Sequence, residues 1–185
     1  GLIEAYIDGN MQALGLDADD LPLAQKEKIG QIVDFVAGRN RYVAYLISLA
    51  SHSYKNFKIG LDCANGASWM IAKAVFAALG AQTVVIGAEP NGLNINQDCG
   101  STHIERLVGE VKSKHLDFAF AFDGDCDRCM AVDENGNVVD GDKMLYILGM
   151  RLKQRGMLNN NTVVATIMSN SGFVNSLEKA GINCV

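Results

Sequence analysis

The chain has 185 residues, little more than one domain's worth; 49% are hydrophobic and 20% charged, and 16 basic against 21 acidic residues leave a net charge of −5. That balance excludes a disordered or collagen-like chain, a coiled coil and a disulfide scaffold. It offers no basic face of any size to nucleic acid or an anionic membrane, and no apolar run reaches the roughly 18 residues that span a bilayer.

Residues 2–14 have helical spacing, with Leu2, Tyr6, Met11 and Leu14 as inward positions. Residues 17–23 form an acidic loop containing Pro22, and 24–36 are ambiguous. Residues 37–50 read as a helix with Tyr42, Tyr45, Leu46 and Leu49 on one side. Next come a strand over 58–64, a turn at Asn65-Gly66 and an apolar helix over 67–79 closed by Gly80. A β-branched strand over 82–87 leads into a polar, Gly- and Asn-rich loop at 88–101. Ser101 or Thr102 caps a helix over 103–114, and 116–123 is a strand. The order strand, helix, strand, helix, strand predicts an α/β unit with helices covering a largely parallel sheet. Two short β runs, 129–133 and 137–140, flank Glu134-Asn135-Gly136, a hairpin signal. A helix over 142–155 with Gly141-Asp142 at its cap, a strand over 162–168 and a helix over 171–180 follow. The chain opens inside a helical pattern and stops at the start of a strand, so the expectation is a piece of a longer protein.

The five cysteines, at 63, 99, 126, 129 and 184, are odd in number and predict free thiols in a reducing, cytoplasmic setting. Cys126 and Cys129 form a C-x-x-C. It has no second pair and no neighbouring histidine to make a zinc site, and reads as two small residues beside a loop with another task.

That loop is Asp123-Gly124-Asp125-Cys126-Asp127-Arg128. Carboxylates at i, i+2 and i+4 share one face of an extended segment, and they follow an apolar strand, where open α/β sheets bind ligands. Three adjacent carboxylates raise one another's pKa, and a hard divalent cation such as Mg²⁺ or Ca²⁺ removes the repulsion. An EF-hand is excluded: Arg128 stands where its glycine belongs, and the flanks are strands rather than helices. A Mg²⁺-dependent aspartyl phosphatase, with Asp123 as nucleophile and Asp125 as acid, is the alternative.

DGDCDR resembles the metal-binding loop DGDGDR of the α-D-phosphohexomutase superfamily. LDCANGAS (61–68), EPNGLNINQDCGSTH (89–103), AFDGDCDRCMAVDENGNVVDGD (121–142) and TIMSNSGF (166–173) resemble, in the expected order, stretches of its bacterial phosphoglucosamine mutases. The resemblance covers roughly 58–185. It implies a three-layer α/β/α domain with a mainly parallel mixed sheet at 41–140, the end of a first domain and linker helices at 1–40, and the truncated start of a third domain at 141–185. It further implies a four-domain enzyme in which a phosphoserine of the first domain exchanges phosphate with a hexosamine phosphate through a bisphosphate intermediate. Such an enzyme interconverts glucosamine 6-phosphate and glucosamine 1-phosphate for cell-wall precursor synthesis. Asp123, Asp125 and Asp127 would hold Mg²⁺, and Arg128 would contact the phosphoserine. The family's nucleophile motif, TASHNP, lies outside this chain. Ala50-Ser51-His52 lacks its threonine and Asn-Pro and reads as linker, so the chain alone is expected to be inactive. The family usually has glycine where Cys126 stands, and cysteine there requires a φ that a β-carbon tolerates.

The remaining residues have plainer readings. His52, His103 and His115 are isolated, with His103 at the surface or capping a helix. Trp69, Met70 and Phe76 fall at core spacing. Asn91, Gly92, Asn94 and Asn96 line an interdomain surface or form a loop of side-chain-to-backbone bonds. A strand at 162–168 without its neighbours would leave an open edge, which predicts a homodimer or swapped assembly of this chain.

Overall fold

The computed structural model describes residues 2–10, 12, 15 and 24–185. It divides into two units, Gly1–Val36 and Ala37–Val185. The first holds helix α1 (Leu2–Ile7) and a 3₁₀ turn at Lys26–Lys28. Tyr6, expected inward, is exposed there. Met11, Leu14, the 17–23 loop and the side chain of Leu2 lie outside the described residues.

Helix α2 (Val36–Ser48) lies in the second unit from Ala37 on, and none of its side chains is buried; Tyr42, Leu46 and Leu49 border a groove against the next helix. Strands β1 (Lys58–Asp62), β2 (Gln82–Ile86), β3 (Phe118–Phe122), β4 (Cys129–Asp133) and β5 (Val138–Val139) form one sheet in the order β2-β1-β3-β4-β5. The first three pair in parallel and the last two join antiparallel. This is the mixed, mainly parallel sheet that the alternating pattern and the resemblance predict.

Strand periodicity explains how the two faces are covered. In β3 the run FAFAF sends Phe118, Phe120 and Phe122 to one face and Ala119 and Ala121 to the other. The aromatic face packs with Ile59, Leu61 and Phe76 beneath α3 (Ile71–Ala78), and Phe76 stacks on Phe120 at 5.9 Å between centroids. The alanine face leaves room for Leu107 and Val111 of α4 (Glu105–Lys114), and Gly60 deepens it: a β-carbon there would lie 2.7 Å from Ala119 Cβ and 3.2 Å from Leu107 Cδ1.

Several local expectations are corrected. Helix α3 begins at Ile71 because Gly66–Ser68 are still turning, so Trp69 and Met70 lie outside the core, each about two fifths exposed. The N-cap of α4 is Ile104, with no side-chain cap from Ser101 or Thr102. In α5 (Gly141–Gln154) the cap is Asp140, whose carboxylate accepts from Lys143 N. Asp142 instead accepts from the N and Nδ2 of Asn170, itself the cap of α6 (Ser171–Lys179). The strand expected over 162–168 is only β6 (Thr162–Val163), paired in parallel with β7 (Asn183–Cys184). Val164, Ile167 and Met168 beyond it are exposed.

Candidate metal centre

The sheet order decides where the centre falls. From β1 the chain crosses one face through α3 to β2, then the other face through α4 to β3. The first crossover leaves the C-terminal end of β1 and the second that of β2, to opposite faces, and the C-terminal ends of such parallel strands are where open α/β sheets bind ligands. Asp123 follows β3 there, and on β1 Asp62 lies opposite Ala121, so Ala64–Gly66 run beside the aspartate loop.

Within the loop, nearest oxygens of Asp123, Asp125 and Asp127 lie within 4.8 Å of one another; Asp123 is buried and the other two are exposed. Asp123 is 1% exposed and fixed by Arg128, whose N donates to Oδ1 at 2.9 Å and whose Nε donates to Oδ2 at 2.7 Å. Burial pushes its pKa up, but the Arg128 amide and guanidinium overcome that and hold the carboxyl below its ordinary value. Asp127 goes the other way: the charges of Asp125 and then Asp123 raise it, outweighing Arg128, whose Nε lies 3.5 Å from Asp127 Oδ1. The hydrogen bond to Asp123 raises Arg128 further, keeping it a permanent cation with its side chain 65% exposed. Each bonded oxygen of Asp123 keeps a second acceptor direction, so the trio presents an all-oxygen, anionic donor set suited to a hard divalent cation. As a nucleophile Asp123 is poorly placed, being buried with both oxygens engaged.

The backbone around the loop is packed to contact. Ala67 N donates to Gly124 O at 2.8 Å. On the other side, a β-carbon on Gly124 would meet Ile95 Cδ1 at 2.6 Å and Asn96 Nδ2 at 2.9 Å. Ala64, Asn65, Asn96, Asp98 and Cys126, all with φ between 49° and 68°, concentrate left-handed backbone here. The Asn-rich loop is held by its own side chains: Asn91 accepts from Leu93 N, while Asn94 accepts from Asn91 N and donates to Glu89 O. Behind it Asp62, fully buried, accepts from Ala64 N at 3.0 Å and Gly100 N at 2.8 Å. The sequence marks Gly66 only as a turn residue and gives no role to Asp62 or Ile95; the one available signal is a carboxylate closing the apolar run KIGLD.

Cys126 occupies the left-handed region at φ 68°, so the expected compatible φ is corrected to a strained one. Cys126→Gly should leave stability unchanged or raise it by up to about 1 kcal/mol. Relief of about 1–2 kcal/mol of left-handed strain outweighs the roughly 0.5–1 kcal/mol of extra chain entropy. Urea unfolding checks this, and a loss above about 1 kcal/mol would mean the thiol makes a contact that matters. All five cysteines are free. Burial, with the three aspartates adding to it, raises the Cys126 thiol, and burial pushes Cys129 up to about 11, so neither is an activated thiolate. Ser51 is exposed, its hydroxyl bonded to the adjacent His52 Nδ1 at 2.7 Å, and His103 is exposed. His115 ends α4 in the left-handed region. Trp69 and Met70 border an open groove of about 1160 Å³ shared with Lys73 and Arg106, at the far side of β2.

Residues 40–136 match the family model for the phosphoglucomutase/phosphomannomutase α/β/α domain II, and 140–185 match that for domain III. Phosphoglucosamine mutase of Lachnoclostridium phytofermentans is 55% identical over 177 residues, 96% of this chain and 38% of that protein. The Lachnospira eligens protein of the same name is 52% identical over 97% of this chain and 38% of its own length. The chain thus spans about two fifths of the curated relatives it matches. A phosphoglucomutase/phosphomannomutase family protein from Burkholderia thailandensis shares the fold at a TM-score of 0.66 and 19% identity, over 80% of this chain and 32% of that one. An N-acetylglucosamine-phosphate mutase in its apo form does so at 0.54 and 18%, over 81% of this chain and 36% of that one.

Proposed function

The chain belongs to the phosphoglucomutase/phosphomannomutase family, and on that premise we propose that it is the metal-bearing part of a phosphosugar mutase acting on glucosamine phosphates. The observation that carries this reading is the convergence of Asp123, Asp125 and Asp127 at the β1/β3 crevice, with Arg128 locked beside them. The identity of 45–55% to phosphoglucosamine mutases over nearly the whole chain supports glucosamine as the sugar. Interconversion of the 6- and 1-phosphates then runs through a phosphoserine and a bisphosphate.

In this reading the three aspartates hold Mg²⁺, which when bound neutralises charge on the phosphoryl group being transferred. Asp123 fixes the inner edge of the site and the Nε of Arg128, and the exposed remainder of the guanidinium is offered to phosphate oxygens. Asp125 and Asp127 complete the donor set from the solvent side. The reacting serine and the sugar-binding groups belong to other parts of the full-length enzyme, and the setting is cytoplasmic. Divisions at 41–140 and 141–185 are the matching proposal for the domains. No helix among the described residues is long and apolar enough to cross a membrane.

The test is a coupled assay on the full-length protein with glucosamine 6-phosphate, run beside this chain alone. Turnover by the former and none by the latter is expected; hydrolysis of phosphate without isomerisation would replace the reading with a phosphatase. Self-association of the isolated chain through the exposed Val164, Ile167 and Met168 is part of the same proposal. Light scattering should give a dimer or larger, and a monodisperse monomer at high concentration would dismiss it.

A further inference from the structure

We infer that Asp62 is a positioning residue for the aspartate loop, acting through the two backbone segments that grip Gly124; this rests on the reading of that loop as a divalent-cation site. Asp62 is outside the cluster of candidate ligands, so any influence on a cation passes through its neighbours. Its carboxylate is fully buried at the end of β1, a position costly to a charge unless it is well bonded.

Both oxygens accept backbone amides, and the two amides belong to the two grips. Oδ1 takes Ala64 N, the first of two consecutive left-handed residues, Ala64 and Asn65. That turn seats Gly66 against Gly124 and lets Ala67 N bond Gly124 O at 2.8 Å. Oδ2 takes Gly100 N, 38 residues away, at the return of the Asn-rich loop. Gly100 has φ 83°, and a β-carbon there would lie 2.6 Å from Phe122 O. The next amide, Ser101 N, donates to that same Phe122 O, one residue before Asp123. The returned loop places Ile95 and Asn96 on the other side of Gly124, and Asn96 N bonds Ala64 O at 2.9 Å, tying the grips together. One carboxylate therefore sets the position of the loop's second residue from both sides.

Asp62→Asn keeps the volume but turns an NH₂ donor toward one of the two amides, which opens one grip. In the full-length protein, the Mn²⁺ dissociation constant by EPR titration and the Mg²⁺ concentration for half-maximal turnover should both rise about tenfold or more, the range of lost outer-shell support. A second change, Ala64→Gly, removes the left-handed penalty that Asp62 holds in place, so Asp62→Asn with Ala64→Gly should recover part of the affinity. Where Asp62→Asn alone does not fold, the double variant carries the same comparison with wild type. A lowered melting temperature with unchanged Mn²⁺ affinity would overturn the positioning role, leaving Asp62 as a purely structural residue. Asp125→Asn separates the two levels: if wild type and Asp125→Asn bind Mn²⁺ equally, the cation reading itself fails.

Discussion

Asp125→Asn in the full-length protein is expected to lower mutase turnover by about 10³-fold or more while leaving the melting temperature within a degree or two of wild type. The rate effect follows from how phosphoryl transfer is catalysed: positioning and charge neutralisation supply nearly all of it, and loss of one well-placed electrostatic group costs about 10²–10³-fold. On the proposed reading, loss of a Mg²⁺ ligand would also empty the site at ordinary Mg²⁺ concentrations, adding to that factor. The stability effect is small because Asp125 is exposed. Asp123→Asn would mix the two, since it also removes the buried partner of Arg128. The titration of Asp127 makes the prediction sharper. Asp125 is the first cause of its raised pKa, so Asp125→Asn should move Asp127 back down toward the ordinary carboxylate value. On the proposed reading, a metal in wild type would compete with a proton that Asp127 keeps to higher pH than a free aspartate does. Affinity for Mn²⁺ should therefore be full near neutrality and fall, as pH is lowered, at a higher pH than an unperturbed aspartate would give. Steady-state kinetics, thermal unfolding and a pH series of Mn²⁺ titrations check the three parts. Retention of most activity by Asp125→Asn would remove the trio as the metal site.

Gly66→Ala should have the second largest effect, about 3 kcal/mol of stability together with a loss of metal affinity. The added β-carbon would lie 2.6 Å from Gly124 Cα and closer still to Gly124 O. Both partners are backbone, so no side chain can rotate away and the aspartate loop itself must move. The Ala67 N bond to Gly124 O goes with it. Gly141→Ala is the matched control: open space surrounds that position, and it lies in the first turn of α5. Alanine there should add up to about 1 kcal/mol through helix propensity and leave Mn²⁺ binding untouched. Urea unfolding of both variants with parallel EPR titrations decides the matter. Wild-type affinity in Gly66→Ala would show that the loop tolerates displacement and that its close packing is incidental.

Fold class was already legible in the chain, because period and order are local properties. FAFAF could bury both faces only as a central strand, and Asn135-Gly136 between β-formers could only turn back. The sequence also showed the chemistry on offer at the loop, since the identities and two-residue spacing of Asp123, Asp125 and Asp127 are written in the chain. Single-residue backbone angles were beyond it. Asp140 rather than Asp142 caps α5 because Asp140 holds the extended angles a cap needs, and Cys126 sits left-handed although it carries a β-carbon. The length of β6 was also beyond it: Thr162 and Val163 pair with Asn183 and Cys184, Ala165 N still bonds Val185 O, and the backbone then turns, with Ser169 N bonded to Thr166 O. Asp62 was the largest omission. Periodicity reads a carboxylate after an apolar run as the point where burial ends. One of its two partners, Gly100, lies 38 residues further along the chain. Only folding brings that amide to it, and only there does burying the charge become affordable and useful.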